Sequence, residues 1–332
     1  MDKETTSINP LKWDDKYTIY FFVKVSILTL IFSICWMLIF PPEHERYTHR
    51  HDEPDTPGDE NMWNNVETSD NEVNSIIKAI VDESLSIPEN EHNAPYFNDS
   101  ARRFDQICSE HDDICRITTR DWTYSENEKL MYQAILIYML QILNDYLDTN
   151  IQEKLQYVKL FEDTSPGSRR WSATTSYIRM NTWKIDSPKE FRQVLTHEFG
   201  HIIDFAVITW FAKTKDTRYT EFWRARWPVD DPSIDYYKIS WLDESTRRSS
   251  ANFRDFVSGY GMRGMYEDKA EFNNLWLNHH AYLRSLVRWN DILEAKYAYF
   301  EDLYGRNHFN DTYTRYPDPW ERVRDTTQVQ NN

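Results

Sequence analysis

The chain is short of positive charge, cysteine and glycine, and each shortage removes a class of protein. Lys and Arg number 38 against 54 Asp and Glu, a net charge of −16. A nucleic-acid partner is therefore excluded, because binding a phosphate backbone needs a basic footprint. Solubility outside a membrane accounts for the acidity; an acidic rim around a site, selecting basic substrates, is the alternative. Only three cysteines occur, with no CxxC pair and no cysteine–histidine zinc spacing. Cys35 lies in an apolar N-terminal run, whereas Cys108 and Cys115 stand in a polar stretch. The latter two form either a small disulfide loop, in an oxidising compartment, or two free thiols. Internal repeats are absent. Glycine numbers 7 in 332 residues, and three of them fall at 259, 261 and 264, which predicts a loop of unusual backbone freedom there.

What is present begins with an apolar run from Tyr17 to Phe40, broken by one charge, Lys24. As a helix it would span roughly 36 Å, enough to cross a bilayer. Pro41 and Pro42 follow it where a signal peptide would have a small-x-small cleavage site, so an uncleaved anchor is expected. The lysines before it favour residues 1–16 as a cytoplasmic tail, with the long C-terminal part outside the cytoplasm. Residues 41–70, rich in Pro, Asp, Glu, Asn and His, read as a solvated acidic linker. The length and the 40% hydrophobic content then leave one sizeable globular domain, 71–318, followed by a tail, 319–332.

Within that domain, apolar spacing predicts a helix over 71–85. Ser125 and Glu128 form the signature of a capping box before a strongly apolar stretch, 130–143, too short for a second span and expected to be a buried core helix. Segments near 155–161 and 176–181 have strand character. Ser187-Pro188-Lys189-Glu190 then opens a helix reaching to about Ile208.

That helix carries His197-Glu198-Phe199-Gly200-His201. Histidines four apart share one helix face and can reach the same zinc ion, with the glutamate between them beside the bound water. Two core histidines bonded to carbonyls are the plainer alternative. Gly200 costs about 1 kcal/mol in a helix relative to Ala, so a close packing neighbour is expected there. A catalytic zinc takes three protein ligands. The third-histidine pattern is excluded, because Asp204 and Val207 occupy the positions it needs. Further on, Glu267 and Glu271 are four apart, so one carboxylate can bind the metal while the other supports a histidine from behind. An exposed acidic helix start is the alternative reading of that pair.

Taken together, HExGHxxD over 197–204, Tyr260-Gly261 in the glycine loop and Glu-x-x-Ala-Glu over 267–271 resemble the gluzincin family typified by the catalytic domain of anthrax lethal factor. The resemblance covers roughly 170–285. It implies a zincin-like α+β domain: a small twisted sheet, the motif helix and a mainly helical C-terminal half, here behind an N-terminal transmembrane helix. It also implies a zinc metallopeptidase, with His197, His201 and Glu267 as ligands of one Zn2+. Glu198 would be the general base, Tyr260 the oxyanion donor, and Glu271 and Asp204 supporting residues. Lys269 departs from the family, which often has an aromatic residue there, and puts the local packing in question. The substrate, a peptide or protein, is not carried over. A catalytically inactive, membrane-tethered scaffold on the same fold and a zinc hydrolase of a non-peptide bond are the competing readings.

Weaker candidates are Asp230, Asp231, Ser233 and Asp235 as a calcium loop or, more simply, a turn at Pro232. His279-His280 is expected at the surface. Trp210, Phe222, Trp223 and Trp227 are expected in the core or a cleft wall. The strand Tyr177 to Asn181 is expected at a sheet edge, where an extended peptide can pair.

Overall fold

The computed structural model describes residues 72–87, 94–120, 123–208, 228–309 and 323–328, all within one unit of the chain, Asn61–Asn332. The tail 1–16, the expected anchor 17–40, the linker 41–70 and the aromatic residues 210–227 lie outside the described residues. No helix among the described residues is long and apolar enough to cross a membrane.

The fold is α+β, with a small mixed sheet and mostly helices. Helices α1 (Glu72–Ser86), α2 (Ser100–Glu110) and α3 (Asp112–Ile117) lead into strand β1 (Thr118–Arg120). Cys108 on α2 and Cys115 on α3 form a disulfide, with sulfurs 2.12 Å apart. The capping box opens α4 (Glu126–Leu147): Ser125 N–H donates to Glu128 Oε2 at 2.7 Å, and Glu128 N–H donates to Ser125 Oγ at 3.3 Å. Residues 130–137 of α4 are all buried, because α1, α2 and α5 (Pro188–Ile202) pack around it. An all-round apolar helix is the expected consequence of being enclosed on every side.

Strands β2 (Tyr157–Phe161), β3 (Trp171–Ala173) and β4 (Tyr177–Asn181) complete a sheet in the order β1-β2-β4-β3. The first three neighbours run parallel, while β3 runs antiparallel to β4, with Trp171 opposite Met180. Val158 and Leu160 on β2 and Ile178 and Met180 on β4 are buried, with Lys159 and Arg179 exposed between them. That alternation puts one face of the sheet on the core and the other in water. The strand Tyr177–Asn181 is therefore interior, not at an edge as its sequence suggested. Its hydrogen-bonding edge is taken by β3, a strand of three residues too short to show a periodicity.

The motif helix begins as its sequence predicts. Ser187 Oγ accepts from Glu190 N–H at 3.1 Å, Pro188 sits in the first turn, and the Glu190 carboxylate accepts from Asp186 N–H. Its α-helical part stops at Ile202 and continues as a π-helical turn, Ile203–Val207, an irregularity frequent beside functional sites.

The C-terminal half comprises α6 (Pro232–Ser240), α7 (Met265–Asn278), α8 (His280–Val287) and α9 (Asp291–Tyr304). Lys296 of α9 is buried and donates to both carboxylate oxygens of Asp268 on α7, at 2.9 and 2.7 Å; Trp241 Nε1 donates to the same carboxylate at 2.9 Å. Asp231 is the N-cap of α6, its Oδ1 accepting from Ser233 N–H at 2.9 Å, so the acidic cluster there is a helix start. His279 and His280 are buried rather than at the surface. His280 stands between His308 Nδ1 and the Tyr297 hydroxyl, at 2.9 and 2.8 Å.

Residues 323–328, placed by sequence in a tail, are folded into the domain. Val323 pairs with Ser258, and Gly259 and Tyr260 donate backbone hydrogen bonds to Val323 and Arg324.

Helices α5 and α7 pack more closely than ordinary side chains permit. A Cβ on Gly200 would lie 3.1 Å from Ala270 Cα and 3.3 Å from Asn273 Cβ. Asn273 and Asn278 of α7 reach across to Thr196, donating to its backbone oxygen and its hydroxyl at 3.0 Å each. The close neighbour predicted for Gly200 is thus α7 itself. Gly200→Ala should destabilise the domain by about 1–3 kcal/mol by overpacking this contact. Urea unfolding of the full chain measures it, and an unchanged midpoint would show that the two helices separate without cost.

Candidate metal centre

The close contact of α5 with α7 brings three side chains to one point. His197 and His201 project from the same face of α5, with ring centroids 5.0 Å apart. Glu267, in the first turn of α7, sets its Oε2 3.2 Å from His197 Nε2 and 3.5 Å from His201 Nε2. Ligand atoms of the three residues all lie within 4.8 Å of one another, so this cluster could hold a metal ion. His197 is wholly buried and His201 nearly so, whereas Glu267 remains partly open.

Glu271, one turn along α7, stands behind the cluster. Its Oε1 is 2.9 Å from His197 Nδ1, although the N–H is not well aligned with it. Its other oxygen accepts from Ser258 Oγ at 2.5 Å and from Thr326 N–H at 2.8 Å. The pair Glu267/Glu271 is thus divided between the cluster and its support. A carboxylate behind a ligating imidazole fixes which nitrogen faces the metal and makes that nitrogen a better donor.

Ser258 and Thr326 were not assigned a role from sequence. Ser258 lies in the glycine loop, whose composition flags it, but nothing in Asp325-Thr326-Thr327 signals a contact with a helix far away in sequence. Nor do the loop glycines 259, 261 and 264 adopt positive φ. They serve close approach instead: a Cβ on Gly261 would lie 3.3 Å from Asp268 Cα and 3.4 Å from Ser258 Oγ.

The protonation of these groups follows from their surroundings. Burial works against charge on His197, but the carboxylates of Glu267 and Glu271 outweigh it and hold the imidazole well above its ordinary value. Burial likewise opposes charge on Glu267, yet the two imidazoles hold its carboxyl well below the usual range. The two shifts have one cause, the attraction between the imidazoles and the carboxylates that face them.

Glu198 is the unusual member. It is fully buried, neither of its carboxylate oxygens has a hydrogen-bond partner among the described residues, and burial pushes its pKa up to about 7. A buried carboxylate without a partner costs several kcal/mol unless something beside it compensates. It nevertheless lines an open cleft of about 840 Å³ together with His201, Glu267 and Tyr260. Tyr260 stands across from His197 with ring centroids 5.9 Å apart, and burial, with Glu267 and Glu198 nearby, raises its phenol well above the ordinary value. It stays a hydrogen-bond donor.

Asp204 serves the site through the scaffold. It lies on the π-turn after α5 and accepts from Ser233 Oγ and Lys269 Nζ, each at 2.6 Å, and from the Tyr237 hydroxyl. Lys269 is buried with the Asp204 carboxylate and the Tyr299 hydroxyl around its ammonium group. This explains how the chain accommodates a lysine where an aromatic residue was expected. Together they tie the end of α5 to α6 and α7.

The acidic rim, the alternative reading of the composition, is not what the described lining of the cleft shows. Arg169, Arg170, Arg263 and Arg324 line it, as does the edge strand β3 from Trp171 to Ala173.

Comparison with protein-family models, with curated proteins and with solved structures finds no match to this chain.

Titration of the full chain with Zn2+ should show a single tight site. Glu267→Ala should abolish it, whereas Glu271→Ala should weaken it by about 10–100-fold, the loss typical of a group that orients a ligand. The opposite order, read by calorimetry, would exchange the roles of the two carboxylates.

Proposed function

We propose that the chain is a zinc-dependent metalloendopeptidase of the gluzincin type. The observation that carries this reading is a Glu198 carboxylate, buried and without a hydrogen-bond partner among the described residues, beside the convergent His197, His201 and Glu267, with Glu198, His201 and Glu267 lining one open cleft. Two imidazoles and one carboxylate suit zinc, and they leave a coordination position open, as catalytic sites require. Purely structural zinc sites are closed, and magnesium or calcium sites favour oxygen ligands throughout.

A zinc ion held by these three residues would acidify water and polarise a carbonyl. The remaining chemistry belongs to the chain. Glu198 takes the proton from the attacking water and passes it to the amine nitrogen as the C–N bond breaks, leaving a carboxylic acid and a free amine. Its raised affinity for protons suits a group that must accept one and give it up near neutral pH. The Tyr260 phenol, kept protonated, donates to the oxygen on which negative charge develops. Glu271 keeps His197 in a single orientation. The open edge of β3 offers main-chain groups to an extended peptide, so affinity need not depend on side chains alone.

Residues 17–40 would anchor this domain in a membrane, with the catalytic part outside the cytoplasm. The Cys108–Cys115 disulfide supports that placement, because disulfides persist in oxidising compartments.

Glu198→Gln should lower peptide cleavage by about 10²–10⁴-fold while retaining zinc, since general-base catalysis contributes on that order. A fluorogenic peptide library and metal analysis of the full chain measure the two quantities. Zinc retained by a wild-type chain that cleaves no peptide would sink the peptidase reading. Full activity in the variant would remove Glu198 from its role.

A further inference from the structure

The charge of the cleft opposes the charge of the protein. In a chain of net charge −16, four arginines line this one depression. Arg170 is neutralised, because Glu190 and Asp325 pair with it and its guanidinium lies 4.1 Å over the Trp171 ring. The other three are exposed and, among the described residues, form no ion pair.

These three come from separate segments that the fold brings to the same cleft. Arg169 precedes the edge strand β3. Arg263 follows Tyr260 in a short turn, its guanidinium 4.8 Å over the Tyr260 ring, which restrains where its charge points. The backbone of Arg324 is held beside Tyr260, whose N–H donates to Arg324 O at 2.7 Å, and Arg324 lines the same cleft. The negative groups facing them across the cleft are Glu198, Glu267 and the already paired Asp325. A divalent cation held by the histidine–glutamate cluster balances the first two. Among the described residues lining the cleft, Arg169, Arg263 and Arg324 then remain without an ion pair, beside the open strand edge, in the turn after Tyr260 and on the segment paired with it.

We infer that this cleft selects polypeptides presenting carboxylates, recognised by Arg169, Arg263 and Arg324 along its lining. The inference rests on the peptidase reading for the identity of the substrate as a polypeptide. Guanidinium groups match carboxylates through paired hydrogen bonds, and clefts of one sign raise the local concentration of oppositely charged ligands. The net charge of −16 disfavours the approach of such substrates to the rest of the chain. The carboxylates can be acidic side chains or a chain's C-terminus, which share this chemistry.

The test uses the zinc-loaded full chain carrying Glu198→Gln, with fluorescent peptides of one length that bear Glu, Gln or Lys around a central apolar pair. Each is made with a free and with an amidated C-terminus. Anisotropy should show the Glu peptides binding at least about tenfold tighter than the Gln peptides, the worth of one charge-assisted contact, with Lys peptides weakest. Amidation should leave each affinity unchanged if side chains are read, and should weaken all the peptides alike if the C-terminus is read. Arg263→Gln with Arg324→Gln should collapse the Glu preference without loss of zinc, and lysine at both positions should restore it in part. Equal binding of Glu and Gln peptides with no effect of amidation, or a carboxylate preference untouched in the arginine variants, overturns the inference whether or not the wild-type chain cleaves peptides. Absence of all cleavage by that chain instead counts against the peptidase reading alone.

Discussion

The contact between α5 and α7, with Gly200 against Ala270 and Asn273, is the constraint on which the site depends. A helix fixes the spacing of His197 and His201, but it cannot supply the atom opposite them. That atom comes from Glu267, and its distance from both imidazoles is set by how near the two helix axes lie. Side chains of ordinary size at the crossing would hold the axes apart, and the ligand atoms would separate with them. The amides of Asn273 and Asn278 meeting Thr196 add direction to this closeness, so that the helices are fixed in register as well as in distance.

Around that contact the chain places its buried charges in pairs. Lys269 with Asp204 and Lys296 with Asp268 bind α5, α6, α7 and α9 to one another inside the C-terminal half. Isolated charges at such depth would be strongly unfavourable, whereas paired and hydrogen-bonded ones are tolerated and dictate which helix faces which. Glu198 is the exception among the described carboxylates beside the cluster, being buried without a partner. Structures keep an exposed cost of that kind where a ligand or a reaction supplies the missing partner.

Several features were legible in the chain and others were not, for reasons of range. The caps at Ser125 and Ser187 act over three residues, so their sequences suffice. Sheet order does not follow from strand character: Tyr177–Asn181 alternates like an edge strand, yet β3 covers it, and β3 is too short to announce itself. His279 and His280 read as a polar pair beyond a helix, but the fold buries both, with Tyr297 of α9 and His308 against His280. Among the four arginines of the cleft, nothing in sequence links Arg169 to Arg263 or Arg324, and an acidic overall composition pointed the other way.

The sequence by itself determined the local chemistry: a capped helix presenting two histidines and a glutamate, a second helix presenting two carboxylates one turn apart, and a glycine-marked loop with one tyrosine. Those are properties of helical spacing and backbone conformation, which neighbouring residues settle among themselves. Tertiary structure alone decided which carboxylate meets the histidines and which stands behind them. It also brought residues 323–328 back to hold Glu271, and it lined the cleft with positive charge. Each of these depends on contacts between segments distant in sequence, whose energies belong to the packed whole and are not written in any single stretch.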